Sequence, residues 1–163
     1  MSRTAPISTL SKRDRYAELV RTLASLLAGE RDWIANLSNT SALLMQEFGD
    51  VNWVGFYLLK GGELVLGPFQ GKPACVRIAV GKGVCGTAAA RRMSVVVPNV
   101  HEFPGHIACD VVSNSELVVP LLRGAELIGV LDVDSPSLGR FDEADRLTLE
   151  SIARILIDAS DAF

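Results

Sequence analysis

The sequence predicts an α+β domain, one layer of mostly antiparallel strands with helices packed on it. Three observations predict it. Apolar residues recur at helical spacing near both ends of the chain. Between them the apolar runs are short, β-prone and punctuated by Gly and Pro. Two pairs of these runs read as hairpins around Gly-containing turns, which is the pattern of an antiparallel layer. At 163 residues the chain has the length of one domain. A domain of that size buries roughly 70% of its unfolded surface.

Residues 11–28 read as the first helix. Tyr16, Leu19, Val20, Leu23, Leu26 and Leu27 form its stripe, with Ser11 as N-cap and Gly29 as the stop. Residues 32–48 read as the second, on Trp33, Ile34, Leu37, Leu44 and Phe48. Both stripes are read as packing against a sheet. Residues 51–59 and 63–66 form a hairpin about Lys60-Gly61-Gly62, and residues 67–73 read as a loop. Residues 75–80 are the next strand, Gly81-Lys82-Gly83 a turn, residues 84–92 a short helix and residues 94–97 a strand. Residues 98–115 form a long loop around Pro104-Gly105, and loops of that length are often functional. A second hairpin pairs 116–122 with 126–134 about Arg123-Gly124-Ala125, and 135–140 is a loop. Residues 142–159 are the final helix, with Ala144, Leu147, Leu149, Ile152, Ile155 and Leu156 on its apolar side. No linker, repeat or low-complexity segment interrupts the chain.

Composition narrows the function class. Sixteen basic against nineteen acidic residues leave a net charge of −3, which argues against a broad nucleic-acid footprint but not against a local basic patch. No apolar run approaches the ~20 residues of a membrane span. Residues 1–12 lack the apolar core of a secretory signal. A cytoplasmic protein is therefore expected, and three cysteines, an odd count, fit a disulfide framework poorly.

Four groups of residues could carry chemistry. Gly81-Lys82-Gly83-Val84-Cys85-Gly86 matches the dinucleotide-binding glycine pattern. That motif needs a parallel βαβ unit with a long helix, and here the helix is short and the strands antiparallel. The pattern reads instead as a tight strand-to-helix turn in which Gly supplies positive φ. Cys75, Cys85 and Cys109 contain no C-x-x-C pair. A Cys₃His zinc site with His101 or His106 stays open, as do buried inert thiols. Cys85 opens a helix, and helix N-termini lower thiol pKa values, so electrostatics alone ranks it the most activated. Asp132 and Asp134 lie two apart on one strand and share a face, and the hairpin brings Glu116 alongside them. Three such acids could hold a cation or an ammonium group, or donate a proton from a member with raised pKa. Strand-end solvation is the plainer reading. Trp53 and Tyr57, four apart on a strand, form either core or the aromatic wall of a small-ligand pocket. His101, His106 and Met93 receive no role beyond solvated or packed positions.

Taken together, residues 81–89 and 129–135 resemble a GAF domain. Three further stretches, residues 53–57, 67–75 and 106–110, together with 115–120, resemble the free methionine-(R)-sulfoxide reductases, stand-alone GAF enzymes. The resemblance runs from about Tyr16 to Ile157, and residues 1–163 are read as a single GAF domain. It implies a central six-stranded antiparallel sheet with helices packed on it, often in a homodimer, and a thiol enzyme with no metal or organic cofactor. It also implies the roles. Cys109 attacks the sulfoxide sulfur, Cys75 resolves it, and Cys85 can join thiol exchange. Glu116, Asp132 and Asp134 bind substrate and help protonate the departing oxygen, while Trp53 and Tyr57 line the methyl end. Cys109 is preferred to Cys85 as nucleophile on this ground, against the electrostatic ranking. Oxygen transfer would leave a sulfenic acid on Cys109 that condenses with a second thiol to a disulfide. Thioredoxin would then restore the dithiol by exchange. Acids gripping an α-ammonium would reject a peptide-bound residue, whose amide is neutral. A GAF small-molecule sensor is the rival from another class; it needs the pocket but not the thiols.

Overall fold

The computed structural model describes residues 10–161. Two helices come first, α1 (Lys12–Leu26) and α2 (Trp33–Glu47). Each starts where a side chain caps it: Ser11 Oγ accepts from the Asp14 amide and Asp32 from the Ala35 amide. Strands β1 (Trp53–Lys60) and β2 (Glu63–Gln70) follow, joined by Gly61-Gly62, both at positive φ as a tight hairpin requires. Then come β3 (Arg77–Ala79), α3 (Gly83–Arg91), β4 (Val95–Val97) and a 3₁₀ turn, Val100–Glu102. The hairpin β5 (Ser115–Arg123) and β6 (Glu126–Ser135) leads to α4 (Glu143–Ala159), whose start is a capping box between Asp142 and Asp145.

The strands form one six-stranded sheet in the order β3-β2-β1-β6-β5-β4, antiparallel at every step. Alternation along the strands divides the core into two faces. Val54, Phe56 and Leu58 of β1, Leu117, Val119 and Leu121 of β5 and Leu131 and Val133 of β6 pack under α1, α2 and α4. Tyr57, Val118 and Val130 point the other way, toward α3. Helices therefore cover both faces. The consequence for function is direct: Glu116, Asp132 and Asp134 alternate with the first set and so project on the α3 side.

Several expected boundaries move. β2 continues through 67–70, which the Gly and Pro content assigns to a loop. Pro68 is tolerated because β3 pairs with β2 only from Glu63 to Val65, leaving this stretch as an edge, and because the β1–β2 register shifts between Gly55 and Tyr57. The strand expected over 75–80 shrinks to Arg77–Ala79, so Cys75 lies in the connection. Leu26, Ile34, Ala144 and Leu147 fall outside their helices' buried stripes and are exposed. Asp145, by contrast, is completely buried in α4. The segment 81–86 is the tight turn anticipated: Gly81 and Gly83 have positive φ, and Gly86 packs against the Ala79 carbonyl too closely for a Cβ. It sits in an antiparallel sheet, which removes the dinucleotide reading. The signal-peptide expectation falls mostly on residues outside those described. Among the described residues no helix is long and apolar enough to cross a membrane.

Candidate active site

The α3 side of the sheet holds a pocket at the end where β5, β6 and β1 run side by side. Register builds its floor. Trp53 pairs with Asp134, and Asp134 pairs with Glu116, in one cross-strand row. Gly55, Asp132 and Val118 form the next row. Tyr57 begins the third, opposite Val130. All these positions share a face, so aromatic and acidic side chains converge by strand geometry alone.

Gly55 is what lets the aromatic wall form. A Cβ there would lie 2.6 Å from the Trp53 ring and 2.3 Å from the Phe69 Cβ. With only hydrogen present, the Trp53 ring lies across the strand. It stacks on Tyr57 with centroids 5.9 Å apart and on Phe69 at 5.3 Å. Its Nε1 donates to the Lys72 carbonyl at 3.1 Å. The Tyr57 hydroxyl donates to the Cys75 carbonyl at 3.0 Å, which ties the wall to the cysteine connection.

Two cysteines close the pocket's mouth. Cys75 and Cys109 are disulfide-bonded with Cα atoms 5.6 Å apart, so the 34-residue separation is bridged by the fold. The loop carrying Cys109 is held on the side that leads into β5. Asn52 Nδ2 donates to Asp110 Oδ2 at 3.2 Å and to Ser113 Oγ at 3.0 Å, and the Asn114 amide donates to the Ser135 carbonyl at 2.8 Å. Seven of the eight expected site residues line this one pocket. The eighth, Cys75, is bonded to Cys109, which does.

Cys85 sits on the floor, buried, and its thiol points at Glu116 Oε1 with Sγ 3.9 Å away. Its placement at the start of α3 does not activate it. Burial raises its pKa well above the ordinary thiol value, and Asp132 and Glu116 raise it further. The ranking of Cys85 as the most activated thiol is therefore corrected: desolvation and two carboxylates outweigh the dipole of a nine-residue helix.

The acids are in an equally costly setting. Glu116 and Asp132 are buried, and the carboxyl of Asp134 lies beside them. Burial pushes all three well above the carboxylate range; Asp134 adds to Glu116, Glu116 to Asp132, and Asp132 to Asp134. Asp132 Oδ1 is buried with no hydrogen-bond partner. No ion pair of the described residues brings a lysine or arginine to any of the three; His106 Nε2 lies 3.6 Å from Glu116 Oε2, and burial lowers its pKa, leaving it neutral. Such a floor can share protons among its acids and can accept a cationic group from a ligand. The Cys₃His centre is not assembled, because two of its thiols are joined to each other; the potential ligands that converge among the described residues are Cys85, Glu116 and Asp132.

Sequence reasoning missed three contributors. His106 reads in the sequence only as a candidate zinc ligand or a solvated or packed position, not as a neighbour of Glu116. The Asn52–Asp110–Ser113 clasp joins residues about 60 apart and has no local signature. Gly55 did carry a signal, since a glycine inside a strand marks close approach.

Comparison with known proteins agrees with this geometry. The GAF domain family model matches residues 13–157. The chain is 54% identical over 143 residues to the free methionine-R-sulfoxide reductase of Escherichia coli, covering 88% of this chain and 87% of that one. It is 41% identical over 157 residues to the Saccharomyces cerevisiae protein of the same name, covering 91% and 87%. The X-ray structure of free methionine-R-sulfoxide reductase from Neisseria meningitidis, in complex with its substrate, superposes with a TM-score of 0.90 at 48% identity, covering 97% of this chain and 95% of that one.

Proposed function

The chain belongs to the GAF-domain family and, within it, to the free methionine-R-sulfoxide reductases, and from that premise we infer that it reduces free L-methionine (R)-sulfoxide to L-methionine through Cys109 and Cys75. One observation carries the reading: a bonded cysteine pair stands at the mouth of a pocket whose floor is three acids, Glu116 and Asp132 buried and Asp134 beside them. A sensor needs a pocket but has no use for that pair.

The Cys109 thiolate attacks the sulfoxide sulfur beneath the Trp53–Tyr57 wall, which receives the methyl end. The sulfoxide oxygen is protonated as its bond to the substrate sulfur breaks, and a floor acid whose pKa burial raises is suited to supply that proton. Methionine forms, and Cys109 carries the oxygen as a sulfenic acid. The Cys75 thiol then attacks Cys109 Sγ, expelling water and leaving the Cys75–Cys109 bond. In sum, one sulfoxide and two thiols become one thioether, one disulfide and one water. Cys85 keeps its proton and its contact with Glu116, which makes it a poor first nucleophile. The remaining floor carboxylates bind the α-ammonium, so a peptide amide in its place would leave buried charge unpaired.

The cycle restarts when a dithiol, thioredoxin in the cell, reduces the bond by exchange. A cytoplasmic setting and a response to oxidative stress fit this chemistry, and a homodimer fits the family. The test is incubation with racemic free methionine sulfoxide and dithiothreitol, followed by chiral chromatography. Loss of the R epimer alone, with equivalent methionine, is expected. No turnover with all three thiols reduced would overturn the reading in favour of a sensor.

A further inference from the structure

We propose that the apolar surface around the Cys75–Cys109 bond is a docking face for a small protein that presents a dithiol. The proposal rests on the reading above, in which this bond closes each catalytic cycle.

Exposed apolar side chains are not spread evenly over the molecule. Four of the large ones among the described residues lie within three positions of one of the bonded cysteines: Val76 (63% exposed), Ile107 (38%), Val111 (86%) and Val112 (42%). Isolated exposed valines need no explanation, but a cluster does. The disulfide brings the two stretches together, because their cysteine Cα atoms are 5.6 Å apart and neighbours along a chain are only ~3.8 Å apart. Pro73 and Ala108, next to these cysteines in the chain, are exposed as well. The charged residues in these stretches are compensated: Lys72 and Asp110 approach each other to 4.0 Å, and Arg77 pairs with Glu63. Both cysteines are partly exposed within this collar.

The bond in the middle says what covers the collar. In thiol–disulfide exchange the partner's thiolate attacks one sulfur, a mixed disulfide forms and the other cysteine leaves as a thiolate. The partner's second thiol then breaks the mixed disulfide, so two electrons pass from the partner's dithiol to Cys75 and Cys109. A small thiol needs only access to sulfur. A protein must seat its surface around the sulfur to align its thiolate, and an apolar collar can be covered without leaving polar groups unpaired.

The experiment compares two reductants on the same full-length chain. Turnover of methionine sulfoxide is driven either by dithiothreitol or by a bacterial thioredoxin kept reduced with its reductase and NADPH. Val111→Glu places a charge on the most exposed member of the collar, and Met93→Glu places one on an exposed residue elsewhere. Val111→Glu is expected to lower kcat/KM for thioredoxin at least tenfold, with dithiothreitol-driven turnover unchanged and Met93→Glu normal with both. An unchanged kcat/KM for thioredoxin in Val111→Glu overturns the docking face. Equal losses with both reductants also overturn it, since the residue would then act on the chemistry. A change in oligomeric state on size-exclusion chromatography overturns it in favour of a contact between copies of the chain. Failure of the parent enzyme with dithiothreitol would instead overturn the proposed reaction.

Discussion

Two buried aspartates, one on each side of the sheet, are solved in opposite ways. Asp145 lies under the α1–α4 face with no exposed side-chain surface. It receives both Arg140 contacts at 3.1 Å, Lys12 at 3.0 Å, the Asp142 amide at 2.7 Å and the Tyr16 hydroxyl. Every lone pair has a donor. Asp132, on the α3 face, has an oxygen with no partner, and its neighbours are two more acids and a thiol. The first arrangement closes on itself and pins α1, α4 and the 135–140 loop together. The second leaves a buried acceptor free, where the proposed reading seats the ammonium group of the substrate. Nature of burial, not burial itself, separates a structural carboxylate from one kept for a ligand.

The largest expected effect removes function without touching the closed side. Cys109→Ser should lower turnover by roughly 10³-fold or more, as loss of a covalent nucleophile does, with the melting transition of the reduced protein nearly unchanged. Steady-state assay and calorimetry on one preparation check both halves. Near-normal turnover would move the nucleophile to Cys85.

Matched substitutions should then move the two aspartates in opposite directions. Asp145→Asn strips the carboxylate from the half-buried Arg140 guanidinium, which keeps its bonds to the Phe48 and Gly49 carbonyls, and should cost about 2–4 kcal/mol of stability. Asp132→Asn leaves no buried counter-charge behind and should preserve or raise stability at pH 8. It should still lower kcat/KM by about 10²-fold, the scale of an unpaired charged contact. The pH dependence has a definite sign. The pocket acids have folded pKa values raised above the unfolded range, so the folded protein holds the extra protons. That contribution is fully present below the unfolded pKa of about 4 and is lost as pH rises through the folded values. Melting temperature of the substrate-free enzyme should therefore fall from pH 5 to pH 8, and Asp132→Asn should flatten the fall. Asp142, beside Lys12 on the closed side, behaves conversely: its carboxyl is held down to about 2, so its contribution is present above the unfolded value of about 4 and is lost as pH falls from there through about 2. A flat profile for the parent protein would break the contrast.

What the chain shows on paper follows the same division. Helical stripes, the hairpins and the three acids on one face are periodic features, and periodicity is local. Leu147 and Ala144 show the limit of that reading, since a stripe does not say where its edge lies, and Asp145 took the buried place between them. The extension of β2 through Pro68 depends on where β3 stops, which no residue in 67–70 records. Cys85 shows a similar limit: its helix position is visible in the sequence, but the carboxylates that raise its pKa arrive from β5 and β6.

Gly55→Ala should have an intermediate effect confined to the pocket. The new Cβ would meet the Trp53 ring and the Phe69 Cβ, so the ring must turn away from Tyr57. Overpacking of this kind costs about 1–3 kcal/mol. KM for the sulfoxide should rise about tenfold, and Trp fluorescence should report the displaced ring. An unchanged KM would mean that the wall does not shape the methyl site.

The smallest change tests whether the wall also serves the thiols. Tyr57→Phe keeps the ring and its stacking on Trp53 but removes the donor to the Cys75 carbonyl. One neutral hydrogen bond is worth about 0.5–1.5 kcal/mol net, or roughly a 2- to 12-fold effect. If the bond only supports the fold, the loss appears as a slightly lower melting temperature with kinetics intact. If it holds Cys75 within reach of Cys109, disulfide closure slows by that factor, and a sulfenic-acid trap such as dimedone captures more of Cys109 during turnover. We expect the second outcome, because the hydroxyl bonds the carbonyl of Cys75 itself, whereas the Trp53 Nε1 bond reaches the same connection three residues earlier, at Lys72. A trapped fraction equal to that of the parent enzyme would leave Tyr57 with the substrate alone.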